Sequence, residues 1–265
     1  VSYGRCMMDA SRIISLFKSL AGAAGEKIRE VYRQDFAVEY KEDNSPVTMA
    51  DKLANELIVQ GLKDAYPQIP VLAEESADDL SRLSQVYCFI VDPLDGTKEF
   101  VKRNGEFTVN IALARNGVPV AGLIYVPMLR EYYYAFENHG AYWHRENEQE
   151  KPLRVSERIG DIRLAVSRSH RTPELDKLIE ENHIRHIVVA GSAYKACLFA
   201  RGDVEAYYRF GKTMEWDTAA MQILAEEAGG IFLGMDGRPF TYNKENPENP
   251  TGFFLINRME NRLTY

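Results

Sequence analysis

Between Glu106 and His144 the chain reads as a series of short segments, FTVNIAL, VAGLIYV, YYYAF and AYWH, joined in part by Asn116-Gly117 and His139-Gly140. FTVNIAL alternates apolar and polar residues, and Asn-Gly is a strong hairpin signal because both central turn positions need positive φ. Segments of this kind in succession make a meander, so this stretch commits to a mostly antiparallel sheet.

The flanking segments have other periods. Ile13, Phe17, Leu20, Ala24, Ile28 and Val31 step by three or four, which predicts an amphipathic first helix with Gly22 and Gly25 as weak spots. A second helix is predicted from about Thr48 to Ala65, since Leu53, Leu57, Ile58 and Leu62 share a face and Pro67 lies just beyond. VLA at 71–73 and YCFIV at 87–91 read as strands, each followed at once by acids. After the very polar HRENEQE at 144–150 the pattern alternates: strand LAVS, helix PELDKLIEE, strand HIVVA, helix AYKACLFA, strand VEAYY, helix WDTAAMQILAEEA, then strands IFL and GFFLI. The expectation is an α+β unit over 1–158 followed by an α/β unit over 159–265.

With 45% apolar residues among 265, there is material for one large or two modest cores. A net charge of −7 argues against a nucleic-acid partner, so any anionic ligand has to be held by a local site. Cys6, Cys88 and Cys197 are too few and scattered for a disulfide framework or a zinc cluster, and the expected setting is reducing and cytoplasmic. The apolar run at 118–129 is too short to span a bilayer and holds two prolines, and the N-terminus lacks a signal peptide's charge-then-apolar order. No transmembrane segment is expected, which leaves peripheral association with the inner membrane open.

Acids fall at the ends of predicted elements: Glu74 and Asp92 after strands, Asp51 and Asp217 in the first turns of helices. Singly each has a structural explanation: Thr48 and Asp51 resemble a capping box, Asp217 suits the helix dipole, and Asp95-Gly96 is an ordinary turn. The stretch VDPLDGTKEF at 91–100 asks for more. Pro93 fixes its own φ and pushes Asp92 towards an extended backbone, while Gly96 frees the chain beside Asp95. A turn so shaped presents Asp92, the Leu94 carbonyl and Asp95 as hard oxygen donors suited to Mg²⁺ or Mn²⁺. Gly96 and Thr97 then open a short segment, TKEFVKRNG, with room for about two helical turns, whose first N–H groups suit a phosphate. Phosphate monoester hydrolysis, with enzymatic accelerations up to ~10²¹, is the kind of reaction that metal ions at such a site promote.

DPLDGT, with LAEES at 72–76 and EWDTAA at 215–220 in the same order, resembles the signature blocks of the lithium-sensitive, magnesium-dependent phosphatases, the family of inositol monophosphatases, fructose bisphosphatases and bisphosphate nucleotidases. DNSPVTMAD at 43–51, DPLDGTKEFVKRNGEFTVNIAL at 92–113, SRSH at 167–170 and YRFGKTMEWDTAA at 208–220 look most like its bacterial bisphosphate nucleotidase branch. Lys98-Glu99 stands where inositol monophosphatases usually carry Thr-Asn. The resemblance implies a layered αβαβα fold and two or three Mg²⁺ ions held by Glu74, Asp92, the Leu94 carbonyl, Asp95 and Asp217. It implies that Asp51 and Thr97 position and deprotonate a water, with Glu74 helping to hold it, in direct attack on the 3′-phosphate of 3′-phosphoadenosine 5′-phosphate. The products would be AMP and phosphate. Lithium inhibition, a place in sulfur assimilation and a monomer or homodimer belong to the same expectation.

That substrate carries about four negative charges, so an acidic protein needs cations near the site. Arg168, His170, Lys195, Arg209 and Lys212 are candidates, and the resemblance singles out His170, Ser192 and Lys195, with Gly96, Thr97 and Asp217, as substrate contacts. Relatives commonly read Gly-Ser-Ser-x-Lys where this chain has Gly191-Ser192-Ala193-Tyr194-Lys195, so a hydroxyl is lost at Ala193. The alternatives are inositol monophosphatase or fructose bisphosphatase activity on the same acids, or a protein that binds nucleotide or metal without turnover.

Overall fold

A computed structural model describes residues 9–42, 45–78 and 80–265; Cys6, and Asp43 and Asn44 of the DNSPVTMAD block, lie outside them. Helix α1 (Ala10–Tyr32) starts at Asp9, whose carboxylate accepts the Ser11 N–H, and it buries Ile13, Phe17, Ala24 and Ile28. After the short antiparallel pair β1 (Val38–Tyr40) and β2 (Pro46–Thr48) comes α2 (Met49–Ala65), which buries Ala54, Ile58 and Leu62. Both helices lie on one face of a seven-stranded sheet.

That sheet runs β3 (Val71–Ala73), β4 (Tyr87–Asp95), β5 (Thr108–Arg115), β6 (Val118–Val126), β7 (Glu131–Phe136), β8 (Gly140–Arg145) and β9 (Lys151–Pro152) in sequential order. Only β3 and β4 are parallel; the rest is the expected meander. Asn116 and Gly117 close the β5–β6 hairpin at φ of 51° and 77°. Phe17 meets Phe89 edge-on beneath the sheet, both fully buried, each contributing about 1.5–3 kcal/mol. Gly22 and Gly25 do not weaken α1: a Cβ on Gly25 would lie 2.3 Å from Tyr125 and one on Gly22 2.7 Å from Tyr132, so these glycines let the helix approach the sheet. Their lost propensity is offset by that closeness.

A five-stranded sheet follows, in the order β11 (His186–Ala190), β10 (Arg163–Ser167), β12 (Ala206–Arg209), β16 (Phe253–Ile256) and β14 (Ile231–Gly234). Strand β10 is parallel to both its neighbours, whereas β16 is antiparallel to both of its own. Helix α4 (Pro173–Glu181), capped by Thr172, covers one face with Leu175 and Leu178. Helices α5 (Tyr194–Ala200) and α6 (Glu215–Glu227) fill the space between the two sheets. The layers run helix, sheet, helix, sheet, helix, the αβαβα arrangement expected. One apolar cluster joins Ile90 and Ile124 of the first sheet to Ala219, Ile223, Tyr207 and Phe253. Gly122 of β6 sets how closely α6 sits, since a Cβ there would lie 2.9 Å from the Ala220 Cα.

Three further short elements are α3 (Thr97–Val101), shorter than the two turns expected, and the antiparallel pair of β13 (Thr213–Met214), which leads into α6, with β15 (Glu248–Asn249). No helix among the described residues is long and apolar enough to cross a membrane.

Candidate active site

The ends of β3 and β4, the starts of α3 and α6 and the loop after β11 enclose a cleft of about 280 Å³. VDPLD is not a free turn. It is the last part of β4, paired with β5 at Asp92–Asn110 and Asp95–Thr108, with the register broken between. A bulge of this kind re-aims side chains at a strand end. Gly96 follows at φ 92°, a left-handed conformation that turns the chain into α3.

Asp92, Asp95 and Asp217 each bring one carboxylate oxygen to within 4.8 Å of the others. Asp92 is fully buried and accepts the Leu94 N–H at 3.0 Å. Burial, then Glu74, Asp95 and Asp217, push its pKa well above the usual carboxylate range. Burial and the nearby Asp95 push Asp217 up to about 8. Asp95 is raised by burial as well, opposed by Lys195 and by the Ala193 N–H, which donates at 2.6 Å. Burial raises all three acids, and Asp95 raises both Asp92 and Asp217, so the cluster favours a bound positive charge. Leu94 lines the same cleft and its carbonyl accepts the Thr97 hydroxyl at 3.4 Å, and the three carboxylates, all hard oxygen donors, fit a metal ion.

Asp51 joins cap and site in one carboxylate. Oδ2 accepts the Thr48 N–H and hydroxyl, both at 2.7 Å, while Oδ1 accepts the Thr97 hydroxyl at 3.0 Å. Burial raises its pKa and these bonds oppose the rise. The capping bonds to Thr48 and the bond from Thr97 therefore coexist in one conformation. Glu74 lines the same cleft but outside the triad, and Lys41 donates to it at 2.8 Å and also to Glu75. Burial raises Glu74 and Lys41 counteracts it. Lys41 had no sequence signal: it is one lysine in a short polar connection.

The same cleft is also lined by cations, Lys98, Lys195 and Arg209. Lys195 is buried, donates to the Ser192 carbonyl at 2.6 Å and lies 5.1 Å from the Tyr207 ring centroid. Burial pushes its pKa down to about 8. The His170 Nε2 is 3.2 Å from Lys98 Nζ. Desolvation, then Arg209, Lys98, Lys195 and Lys102, push His170 down to about 4, so it faces the cleft as a neutral imidazole and the charge comes from its neighbours. Gly96, Ser192 and Arg209 also line the cleft, together with Thr213, Trp216 and Phe253, which sequence reasoning did not single out. Arg168 and Lys212 are engaged elsewhere, with Glu106 and Glu248. Ala193 contributes its N–H to Asp95, so the missing hydroxyl leaves that bond intact.

A model of the inositol monophosphatase family matches residues 9–260. A Salmonella typhimurium protein named 3′(2′),5′-bisphosphate nucleotidase CysQ is 42% identical over 236 residues, covering 87% of this chain and 94% of that one. Its Escherichia coli K12 namesake is 41% identical over the same shares. Among solved structures, CysQ from Bacteroides thetaiotaomicron, described as a bacterial member of the inositol monophosphatase family, superposes with a TM-score of 0.82 at 39% identity, covering 95% of this chain and 99% of that one. An IMPase from Thermotoga maritima gives a TM-score of 0.79 at 25% identity, covering 93% and 92%.

Proposed function

The chain belongs to the inositol monophosphatase family, and from that premise we propose that it is a 3′(2′),5′-bisphosphate nucleotidase, removing the 3′-phosphate of 3′-phosphoadenosine 5′-phosphate to leave AMP and phosphate. The observation that carries this reading is a single cleft lined both by a carboxylate cluster and by Lys98, Lys195 and Arg209 around a neutral His170. A monoester with a second phosphate needs both sets of groups, acids that hold a metal ion for the reacting phosphate and cations for the distal charge.

Asp92, Asp95, Asp217 and the Leu94 carbonyl are proposed to hold Mg²⁺, with Glu74 joining them once freed from Lys41. Bound there, Mg²⁺ supplies the positive charge that draws the phosphoryl oxygens in and makes a nearby water more acidic. Asp51 receives that water's proton by way of the Thr97 hydroxyl, which already donates to it. Two donors from Thr48 hold the Asp51 carboxylate still, and its raised pKa makes it a better base. Water attacks phosphorus directly as the bond from phosphorus to the 3′-oxygen breaks, that oxygen takes a proton from solvent to become the 3′-hydroxyl of AMP, and no phosphoenzyme forms. Ser192 and Lys195 are proposed to hold the ribose side and the second phosphate. The same proposal includes a cytoplasmic location and a link to sulfur assimilation.

Phosphate release from 3′-phosphoadenosine 5′-phosphate, inositol 1-phosphate and fructose 1,6-bisphosphate, each with Mg²⁺, tests the reading. The nucleotide should give the highest kcat/KM, and a preference for inositol 1-phosphate overturns it.

A further inference from the structure

Glu106 stands behind the cleft, in the loop between α3 and β5. Its Oε2 accepts the Gly191 N–H at 2.8 Å, and Arg168 donates to both carboxylate oxygens at 2.7 Å. Arg168 follows β10 and Gly191 follows β11, whereas Glu106 precedes β5. One carboxylate therefore ties the two sheets together beside the site. The fit leaves no slack: a Cβ on Gly191 would lie 2.7 Å from the Glu106 carbonyl oxygen and from Glu99 Cγ.

Gly191 begins an arch whose next two residues face the site. Ser192 holds a left-handed φ of 43°, a costly conformation for a residue with a side chain, which persists only where its surroundings impose it. Its hydroxyl lies 3.3 Å from Thr108 Oγ1 and its carbonyl accepts Lys195. Ala193 then gives its N–H to Asp95. Gly191 is buried, so an N–H left there without its acceptor costs stability, and without Glu106 the arch loses its fixed end.

We infer that Glu106 is a positioning residue: by accepting the Gly191 N–H it fixes the Gly191–Ala193 arch, so that the Ala193 N–H orients Asp95 and Ser192 is held facing the substrate. Arg168 balances the charge of Glu106, which would otherwise repel an anionic substrate. This inference rests on the proposed role of Asp95 in holding the cation.

Two variants separate the acceptor from the charge. Glu106→Gln keeps an acceptor for Gly191 and loses the charged bond, while Glu106→Asp keeps a charge facing Arg168 but is one methylene too short for Gly191. The Mn²⁺ dissociation constant, read by electron paramagnetic resonance without substrate, is measured beside kcat and KM with Mg²⁺ and the nucleotide. Glu106→Asp should weaken Mn²⁺ binding and lower kcat by about tenfold with a smaller change in KM, whereas Glu106→Gln should hold both within about threefold. The reverse order, equal effects, or an unmoved Mn²⁺ affinity in Glu106→Asp overturns the inference. Should Glu106→Asp fail to fold, Arg168→Met decides: it leaves Glu106 on Gly191 and should keep Mn²⁺ affinity within about threefold, and a tenfold loss overturns the inference. If the order holds for Mn²⁺ but the unsubstituted chain does not hydrolyse the nucleotide, the substrate assignment fails and the positioning role stands.

Discussion

The Thr97 hydroxyl donates to Asp51 Oδ1 at 3.0 Å, joining the first turn of α2 to the first turn of α3 across 46 positions of sequence. The other oxygen of the same carboxylate caps α2. Asp51→Asn keeps an oxygen for the cap and loses the base. It should lower kcat by about 10²- to 10⁴-fold with little change in Tm. Asp51→Ala should also lose about 1 kcal/mol of stability with the cap. Steady-state kinetics beside thermal denaturation separate the two roles, and equal loss of Tm in both variants would refute the division.

The triad makes the response to metal depend on pH. Asp92, Asp95 and Asp217 all have folded pKa values above the unfolded carboxylate value of about 3.9. Their contribution to stability is whole below that value and is lost as pH rises towards the folded values, about 8 for Asp217. Without a divalent ion the protein should therefore lose stability from acid to mildly alkaline pH. Mg²⁺ held there as proposed would bind the ionised acids and offset that loss. The gain in Tm on adding Mg²⁺ after chelation should be larger at pH 8.5 than at pH 6, and Asp95→Asn should abolish both the gain and phosphate release while the chain stays folded.

Lys195 sets stability against binding. Burial holds its folded pKa at about 8, below the unfolded value of about 10.4. Its contribution is whole above the unfolded value and is lost as pH falls through the folded one, so at pH 7 the charged amine is a burden on the fold. Lys195→Met should raise Tm by a few degrees at pH 7, roughly 2–4 °C, while raising KM for the bisphosphate about tenfold. A lower Tm with unchanged KM would show that Lys195 is structural.

Gly122 lets α6 sit close enough to β6 for Asp217 to meet the acids at the end of β4. Gly122→Val should cost about 1–3 kcal/mol by overpacking. Because the helix carries a member of the triad, Mn²⁺ affinity should fall as well. A variant that loses stability at unchanged affinity would mean that α6 slides without moving its first turn.

Much of the fold was legible because long elements carry a period. The six residues stepping along α1, the Asn116-Gly117 hairpin and the alternation after residue 160 each announce their element. The pairs β1–β2 and β13–β15 were not legible, since two or three residues hold no period. The glycines of α1 looked like weak spots because propensity is local, whereas Tyr125 and Tyr132, which they admit, lie about a hundred positions on. In the site, the acids of β4 and α6 were legible as residues at element ends. The contacts that restrain them were not: Lys41 on Glu74 and Glu106 on Gly191 are long-range pairs between ordinary-looking residues. The bulge was missed for another reason, because Pro93 and Gly96 serve a turn and a broken register equally well.

The docking of α6 onto the first sheet also fixes when the protein can begin to work. A ribosome delivers Asp92 and Asp95 well before Asp217, which arrives with a later helix whose removal would leave one face of that sheet open to water. A nascent or truncated chain ending before α6 would expose that apolar face and would be prone to self-association. It would also lack one acid of the cluster. Synthesis and activity are thus tied together: with Asp217 in its proposed role, a phosphatase of this design stays silent until α6 has been made and docked.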